Sequence, residues 1–257
     1  MRFCMLASGS KGNAALLESG SCRLLIDAGL SARQLCRRMQ AVDIDPASLT
    51  GLLVSHEHVD HVRGLATLAR RYNLPVYLHS PLTSFLAERL CPTLVNEFET
   101  GRCWQIAGIE VEAFPVTHDA VSPVGFTFRT EAGKLGMATD LGIATRLVEQ
   151  HLLGCRAVVI ESNHDETMLR DGPYPWPLKQ RVKSSHGHLS NDAAGRLIDR
   201  LLWDGLESLV LAHLSETNNL PALAGQTVAR VLATQNLCAP RVVIARQEAP
   251  TDWVELT

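Results

Sequence analysis

The stretch Ser55-His56-Glu57-His58-Val59-Asp60-His61 sets three histidines and two acids in the six residues from His56, straight after the apolar run Leu52–Ser55. Neutral imidazole and carboxylate are good donors for borderline metals such as Zn²⁺. In a turn, His56 and His58 can converge on one ion while Asp60 and His61 face a second. A solvated His-rich loop is the plain alternative, but loops rarely set H-x-H-x-D-H at the end of a buried strand.

Four single residues stand at the ends of other apolar runs: Asp27 in Ile26-Asp27-Ala28-Gly29, His118 after Val111–Thr117, Asp140 in Ala138-Thr139-Asp140, and His213 after Leu209–Ala212. Taken alone each is weak, because a lone histidine after a strand is more often structural. Ser8-Gly9-Ser10-Lys11-Gly12-Asn13 is a Gly/Ser turn whose successive N–H groups and lysine could hold a phosphate, or an ordinary β-turn. It is not a P-loop, since G-x-x-x-x-G-K-[ST] is absent. His188, in Gly187-His188-Leu189-Ser190-Asn191, precedes a helix start, a place that suits anion binding and protonation of a leaving oxygen; an incidental histidine in a capping turn is the alternative. Arg170, Lys179, Arg181 and Lys183 read as a local basic strip for a phosphate backbone or as a solvated helix face. Glu161-Ser162-Asn163-His164-Asp165 follows a buried run and borders the site, so Asn163 and His164 join Ser8, Ser10, Lys11 and Ser190 as candidate substrate contacts.

The elements that must position these residues alternate between strand and helix. Phe3–Ala7, Ala15–Glu18 and Arg23–Asp27 read as a meander, followed by a helix over Ser31–Ala41 with Leu35 and Met39 four apart. Strands are expected at Leu52–Ser55, Val76–His79, Glu110–Thr117, Gly125–Arg129, Leu135–Thr139, Val158–Glu161, Leu209–Ala212 and Val242–Ala245. Helices are expected at Val62–Tyr72, Leu82–Leu90, Asn191–Trp203 behind a Ser190 cap, and Gln226–Thr234. Gly172–Pro177 reads as an irregular surface loop, and no internal repeat is visible. Two sheets flanked by helices, α/β or α+β, fit this order better than one parallel sheet.

Composition narrows the class. The chain has 257 residues, 46% hydrophobic and 20% charged, with a formal charge of -3. That is a globular balance, and it excludes a globally basic nucleic-acid wrapper. No apolar run is long enough to span a membrane, and MRFCMLASGSKGN does not read as a signal peptide. The seven cysteines are odd in number and form no C-x-x-C pair, which reads as reduced, mostly buried thiols in a cytoplasmic protein.

The H-x-H-x-D-H stretch, with Asp27, His118, Asp140 and His213 in order, resembles the metallo-β-lactamase superfamily over nearly the whole chain. The resemblance implies a single-domain αββα sandwich over residues 1–257. It also implies two divalent ions, Zn²⁺ or Mn²⁺ with Fe²⁺ as a further choice. One ion would take His56, His58 and His118; the other Asp60, His61 and His213, with Asp140 bridging. A hydroxide held between them would be the nucleophile, oriented by Asp60, and Asp27 would fix a ligand histidine from behind.

Within the superfamily, Ala7-Ser8-Gly9-Ser10, Ser55-His56-Glu57-His58, Glu161-Ser162-Asn163-His164-Asp165, Gly172-Pro173-Tyr174-Pro175, Gly187-His188-Leu189-Ser190-Asn191 and Leu211-Ala212-His213-Leu214-Ser215 resemble the YycJ/WalJ-type exonucleases, relatives of RNase Z and RNase J. That branch implies 5′→3′ exonuclease action on DNA, a place in mismatch repair, and a catalytic role for His188 at the scissile phosphate. The chain has no room for the large cap domain of RNase J-type enzymes and lacks an obvious long arm of the RNase Z kind. Two other readings stand beside this one: a metallo-hydrolase of a small phosphodiester, lactone or thioester, and a non-catalytic metal-binding repair scaffold.

Overall fold

In β1 (Arg2–Ala7), Phe3 and Met5 point to one face and Cys4 and Leu6 to the other, and all four are buried. A strand with no polar face belongs to a sheet covered on both sides. The computed structural model, which describes residues 1–86 and 88–256, has two such sheets. The first contains β1, β2 (Ala14–Ser19), β3 (Cys22–Ile26), β4 (Gly51–Leu53), β5 (Val76–His79), β6 (Val95–Phe98) and, beside β1, the late β14 (Val254–Glu255). The second runs from β7 (Cys103–Ile106) through β8 (Ile109–Pro115), β9 (Val124–Thr130), β10 (Gly133–Ala138), β11 (Ala157–Glu161) and β12 (Ser208–Ala212) to β13 (Arg241–Ile244).

Phe3, Met5, Leu17 and Leu24 of one sheet meet Phe126, Phe128, Val159 and Val210 of the other in a shared core. The outer face of the first sheet is covered by α1 (Ala32–Gln40), α3 (Leu65–Tyr72) and α4 (Ser80–Leu86), through Leu35, Met39, Leu68 and Leu82. The outer face of the second is covered by α5 (Arg146–Leu152), α8 (Asn191–Leu201) and α9 (Pro221–Leu232), through Val148, Leu197, Ile198 and Val228. Three short helices border the loops: α2 (Val59–Val62), α6 (Glu166–Asp171) and α7 (Trp176–Lys183). The layers are therefore helix, sheet, sheet, helix, both sheets mixed.

Each sheet has the same plan. Antiparallel pairs lead to β3 in one and to β10 in the other, and parallel pairs follow. This repeat of topology leaves no trace in the sequence.

Several expected elements shift. The helix expected over Val62–Tyr72 is broken at Gly64, whose N–H donates to Ala28 O at 2.8 Å and whose Cα abuts the Leu30 carbonyl. The helix expected over Leu82–Leu90 runs from Ser80 to Leu86 and gives way to a turn at Glu88, with Ala87 outside the described residues. The last helix starts at Pro221, not Gln226, since proline lacks only an N–H that a first turn does not use. The same rule lets α7 begin at Trp176 inside the Pro-rich stretch. Edge strands β6 and β7, and helices α5 and α6, were not anticipated. Of the cysteines, Cys4, Cys22 and Cys155 are buried, but Cys91 and Cys103 are exposed; no pair is bonded among the described residues.

The histidine loop is sewn to the first sheet by backbone bonds. Asn13 N donates to Asp60 O (2.8 Å), Ala28 N to His61 O (2.7 Å) and Gly29 N to Asn13 O (2.9 Å). Gly29 permits this, because a Cβ there would sit 1.6 Å from Asp60 O. Gly29→Ala is expected to cost about 1–3 kcal/mol or more, as overpacking does. Gly225→Ala, in the interior of α9 with ordinary contact to Ile244, is expected to gain about 0.5–1 kcal/mol. Urea unfolding of both variants checks the pair; equal stabilities would contradict the loop packing.

Candidate metal centre

Parallel strands deliver their C-terminal ends to one edge, where side chains from separate strands can converge. Asp27 follows β3, the histidine loop follows β4, Asp140 lies just past β10, Glu161 ends β11 and His213 follows β12. Register fixes their order: Ile26 pairs with Leu53, Ala138 with Ile160, and Glu161 with Ala212. Asp27, Asp140 and His213 have φ of 60°, 54° and 55°. Left-handed backbone is uncommon outside glycine, and here it turns each side chain off its strand into the same space. His118 comes from the loop after β8, and His188 from the turn between α7 and α8.

Four histidines are anchored through Nδ1. His61 Nδ1 donates to Asp27 Oδ2 (2.7 Å), His118 Nδ1 to Gly187 O (3.1 Å) and His213 Nδ1 to Glu161 Oε1 (2.7 Å). Ser55 Oγ donates to Asp27 Oδ2 (2.8 Å), so it accepts from His56 Nδ1 (3.0 Å). Asp27 Oδ1 also accepts from Ser55 N (2.8 Å). The four Nε2 atoms are thereby left for the centre. His56 Nε2, His213 Nε2 and Asp140 Oδ2 are buried without a hydrogen-bond partner. Buried polar atoms are rarely left so, and a cation explains all three.

The spacing fits. Two N or O donors about 2.0–2.2 Å from one ion lie within roughly 4.4 Å of each other. His56, His58 and His118 each offer a donor within 4.8 Å of the others, as do His56, His61 and Asp140. His61 Nε2 lies 3.1 Å from Asp140 Oδ2 and 3.8 Å from Asp60 Oδ2; His213 Nε2 is 3.9 Å from Asp60 Oδ2, and His118 Nε2 is 3.8 Å from Asp140 Oδ1. Asp140 thus stands between two groups of donors. The structure brings His56, His58, Asp60, His61, His118, Asp140 and His213 together, with Asp27 behind His61.

Asp140, Glu161, His188 and His213 also lie close together. Glu161 is nonetheless a poor donor to an ion, because its oxygens are already occupied. Oε1 accepts from His188 Nδ1 (2.8 Å) and His213 Nδ1 (2.7 Å), and Oε2 from the N–H groups of Leu141 and Leu189 (both 3.0 Å). Sequence reasoning placed Glu161 only at the border of the site. Its signal was a carboxylate closing the otherwise apolar run Ala157–Ile160. Ser55 and Asn13 were also missed; Asn13 Nδ2 lies 3.1 Å from His61 Nε2 and 3.4 Å from Asp60 Oδ2.

The electrostatics follow from burial and these pairs. Burial, with the neighbouring imidazole of His61, holds His56 well below the usual histidine range. Burial also disfavours charge on His61, but the carboxylates of Asp27 and Asp140 outweigh it and hold it well above that range. Burial opposes ionisation of Glu161, yet His188 and His213 bring it down to about 2. Burial likewise opposes a charge on His188, and Glu161 overcomes it, raising His188 to about 9.

The expected substrate contacts divide. Ser10, Asn163, Arg181 and His188 line a pocket of about 230 Å³ beside the centre. Ser8, His164 and Ser190 do not line it. Ser8 Oγ is buried accepting from His213 N, Ser190 Oγ caps α8, and His164 is buried in the adjoining backbone, with burial lowering its pKa to about 4. Lys11 pairs with Glu216, and Arg170 with Asp171, at the surface. Lys179 and Lys183 lie one turn apart on α7 while Arg181 points to the opposite side, so the three are not one basic strip. Lys179 Nζ donates to Arg170 O.

Comparison with known proteins agrees with this geometry. Residues 22–214 match the family described as "Beta-lactamase superfamily domain". The chain is 37% identical over 236 residues to the exodeoxyribonuclease YycJ of Bacillus anthracis, covering 90% of this chain and 89% of that one. It is 33% identical over 241 residues to the exodeoxyribonuclease WalJ of Streptococcus pneumoniae, covering 92% and 90%. In fold it is similar to the metallo-beta-lactamase fold protein YhfI of Bacillus subtilis, with a TM-score of 0.73 at 16% identity over 98% of this chain and 99% of that one.

Asp27→Asn keeps the shape but removes the charge that holds His61. It is expected to weaken Zn²⁺ binding about 10- to 100-fold, read by competition with a chromophoric chelator. Unchanged affinity would detach Asp27 from the centre.

Proposed function

We propose that this chain, which belongs to the beta-lactamase superfamily and is a metal-dependent hydrolase, is a 5′→3′ exonuclease acting on DNA. The observation that carries the reading is a full set of metal donors joined through Glu161 to a separate, charged histidine, His188, in a chain so similar to named exodeoxyribonucleases. Excision of one strand from an end is a step mismatch repair requires, and the proposal extends to that setting. It takes residues 1–257 as one domain, because donors come from both sheets.

His56, His58 and His118 would hold one divalent ion, Asp60, His61 and His213 a second, with Asp140 shared. Zn²⁺, Mn²⁺ and Fe²⁺ all suit this donor set. Such a pair supplies positive charge for the phosphoryl oxygens and an activated water for attack at phosphorus. The protein's own groups do the rest. Asp60 is half-buried among the donors, where its carboxylate would accept a hydrogen bond from the attacking water and orient it. Glu161 keeps His188 protonated at neutral pH. With Nδ1 committed to Glu161, His188 has Nε2 to offer the pocket, where it donates a proton to the departing 3′-oxygen.

End-labelled DNA strands, digested by chelated and then Mn²⁺- or Zn²⁺-reconstituted protein, test the reading. Shortening from the 5′ end is expected only with metal, and is expected to vanish in Asp60→Ala and His61→Ala. Failure to digest DNA with both ions bound would overturn it.

His188→Ala is expected to retain metal and lose about 10²- to 10⁴-fold in turnover. A pKa raised to about 9 means that the donor stays protonated, and the rate holds, until pH climbs through 9. Glu161→Gln should move that alkaline fall toward the ordinary histidine range. A pH–rate profile unmoved by Glu161→Gln would remove His188 as the acid.

A further inference from the structure

The pocket beside the centre has a composition the hydrolytic step does not require. Gly187 and His188 line it on the side of the metal donors. Tyr174, Leu178 and Arg181 line it from the segment that leads into and along α7, and Ser10 and Ser215 from loops of the two sheets. Pro173 and Pro175 flank Tyr174, and proline fixes backbone φ. Gly172 packs so closely that a Cβ would lie 2.4 Å from Met168 O. The tyrosine is therefore offered on stiff backbone, half-buried, as one of the residues lining the pocket.

Arg181 is tied to the centre as well. Its Nε donates to Asp119 Oδ2 (2.5 Å), and Asp119 Oδ1 lies 3.4 Å from His118 Nε2. That bond uses one of the five N–H donors of the guanidinium, leaving others for an anion. One aromatic face and one guanidinium in a small pocket match one base and one phosphate.

His188 decides which nucleotide this is. If His188 protonates the departing 3′-oxygen, whatever occupies the pocket beyond it belongs to the product that departs. In digestion from the 5′ end, that is the terminal nucleotide.

We propose that this pocket binds the 5′-terminal nucleotide of an unpaired strand, its base stacked on Tyr174 and its phosphate on Arg181. The inference rests on the exonuclease reading and adds a substrate class. A base inside a duplex is already stacked and paired, so it reaches Tyr174 only from a single-stranded or frayed end.

The test uses metal-reconstituted full-length protein and 5′-labelled single strands whose terminal nucleotide either carries its base or is abasic. Tyr174→Ala is expected to raise KM roughly 5- to 100-fold on the normal strand, as loss of one stacked base does. Tyr174→Phe should restore it. The abasic end should impose a similar penalty on the wild type and little further penalty on Tyr174→Ala, because both remove the same contact. Metal content and thermal melting exclude a folding defect. An unaltered KM in Tyr174→Ala, or an abasic penalty equal in both proteins, overturns the pocket and leaves the exonuclease reading standing. A wild type that digests neither single strand yet shortens a duplex from its 5′ end also overturns the pocket alone; one that digests neither the single strands nor a duplex overturns the exonuclease reading, and the pocket falls with it.

Discussion

The carboxylate of Asp27 is the contact on which the rest of the site depends. One oxygen takes the Ser55 amide, the other the Ser55 hydroxyl and the His61 ring. Through Ser55 the same carboxylate sets the ring of His56. Three consequences come from one buried group: the end of β3 is joined to the end of β4, two histidines are given their tautomers, and the histidine loop is started in the right direction. A left-handed backbone at Asp27 is the conformational cost of aiming that carboxylate inward.

The second sheet repeats the device. Asp140 follows β10 as Asp27 follows β3, each at the strand where antiparallel pairing turns parallel, and each with positive φ. The two carboxylates have nevertheless diverged in task. Asp27 is consumed by hydrogen bonds to its own sheet, whereas Asp140 leaves an oxygen unpartnered in the middle of the donors. Glu161 then does for the second sheet what Asp27 does for the first, orienting His213 from behind.

The sequence made the first-sheet half of the centre readable because its donors are contiguous: a strand, then H-x-H-x-D-H. The second-sheet half was readable only as an order of isolated residues, since His118, Asp140 and His213 are brought together by register that no local pattern encodes. Strands buried on both faces announced themselves as apolar runs. Edge strands β6 and β7, with exposed polar residues, did not, nor did the short helices α5 and α6. Ser8 and Ser190, expected as substrate contacts, have their hydroxyls committed to backbone N–H groups. Hydroxyls near a site are as useful for satisfying buried backbone as for meeting a ligand, and only burial and partners separate the two.

The division of donors between the sheets has a mechanical consequence. His56, His58, Asp60 and His61 ride on the first sheet, and His118, Asp140 and His213 on the second. Neither half alone can assemble the full set, so an ion that those donors hold is bound most tightly by the docked pair. The difference between its binding free energy to the docked pair and to the separate halves is then added to the seam, growing with concentration. The centre acts as a rivet across the hydrophobic packing between the two sheets.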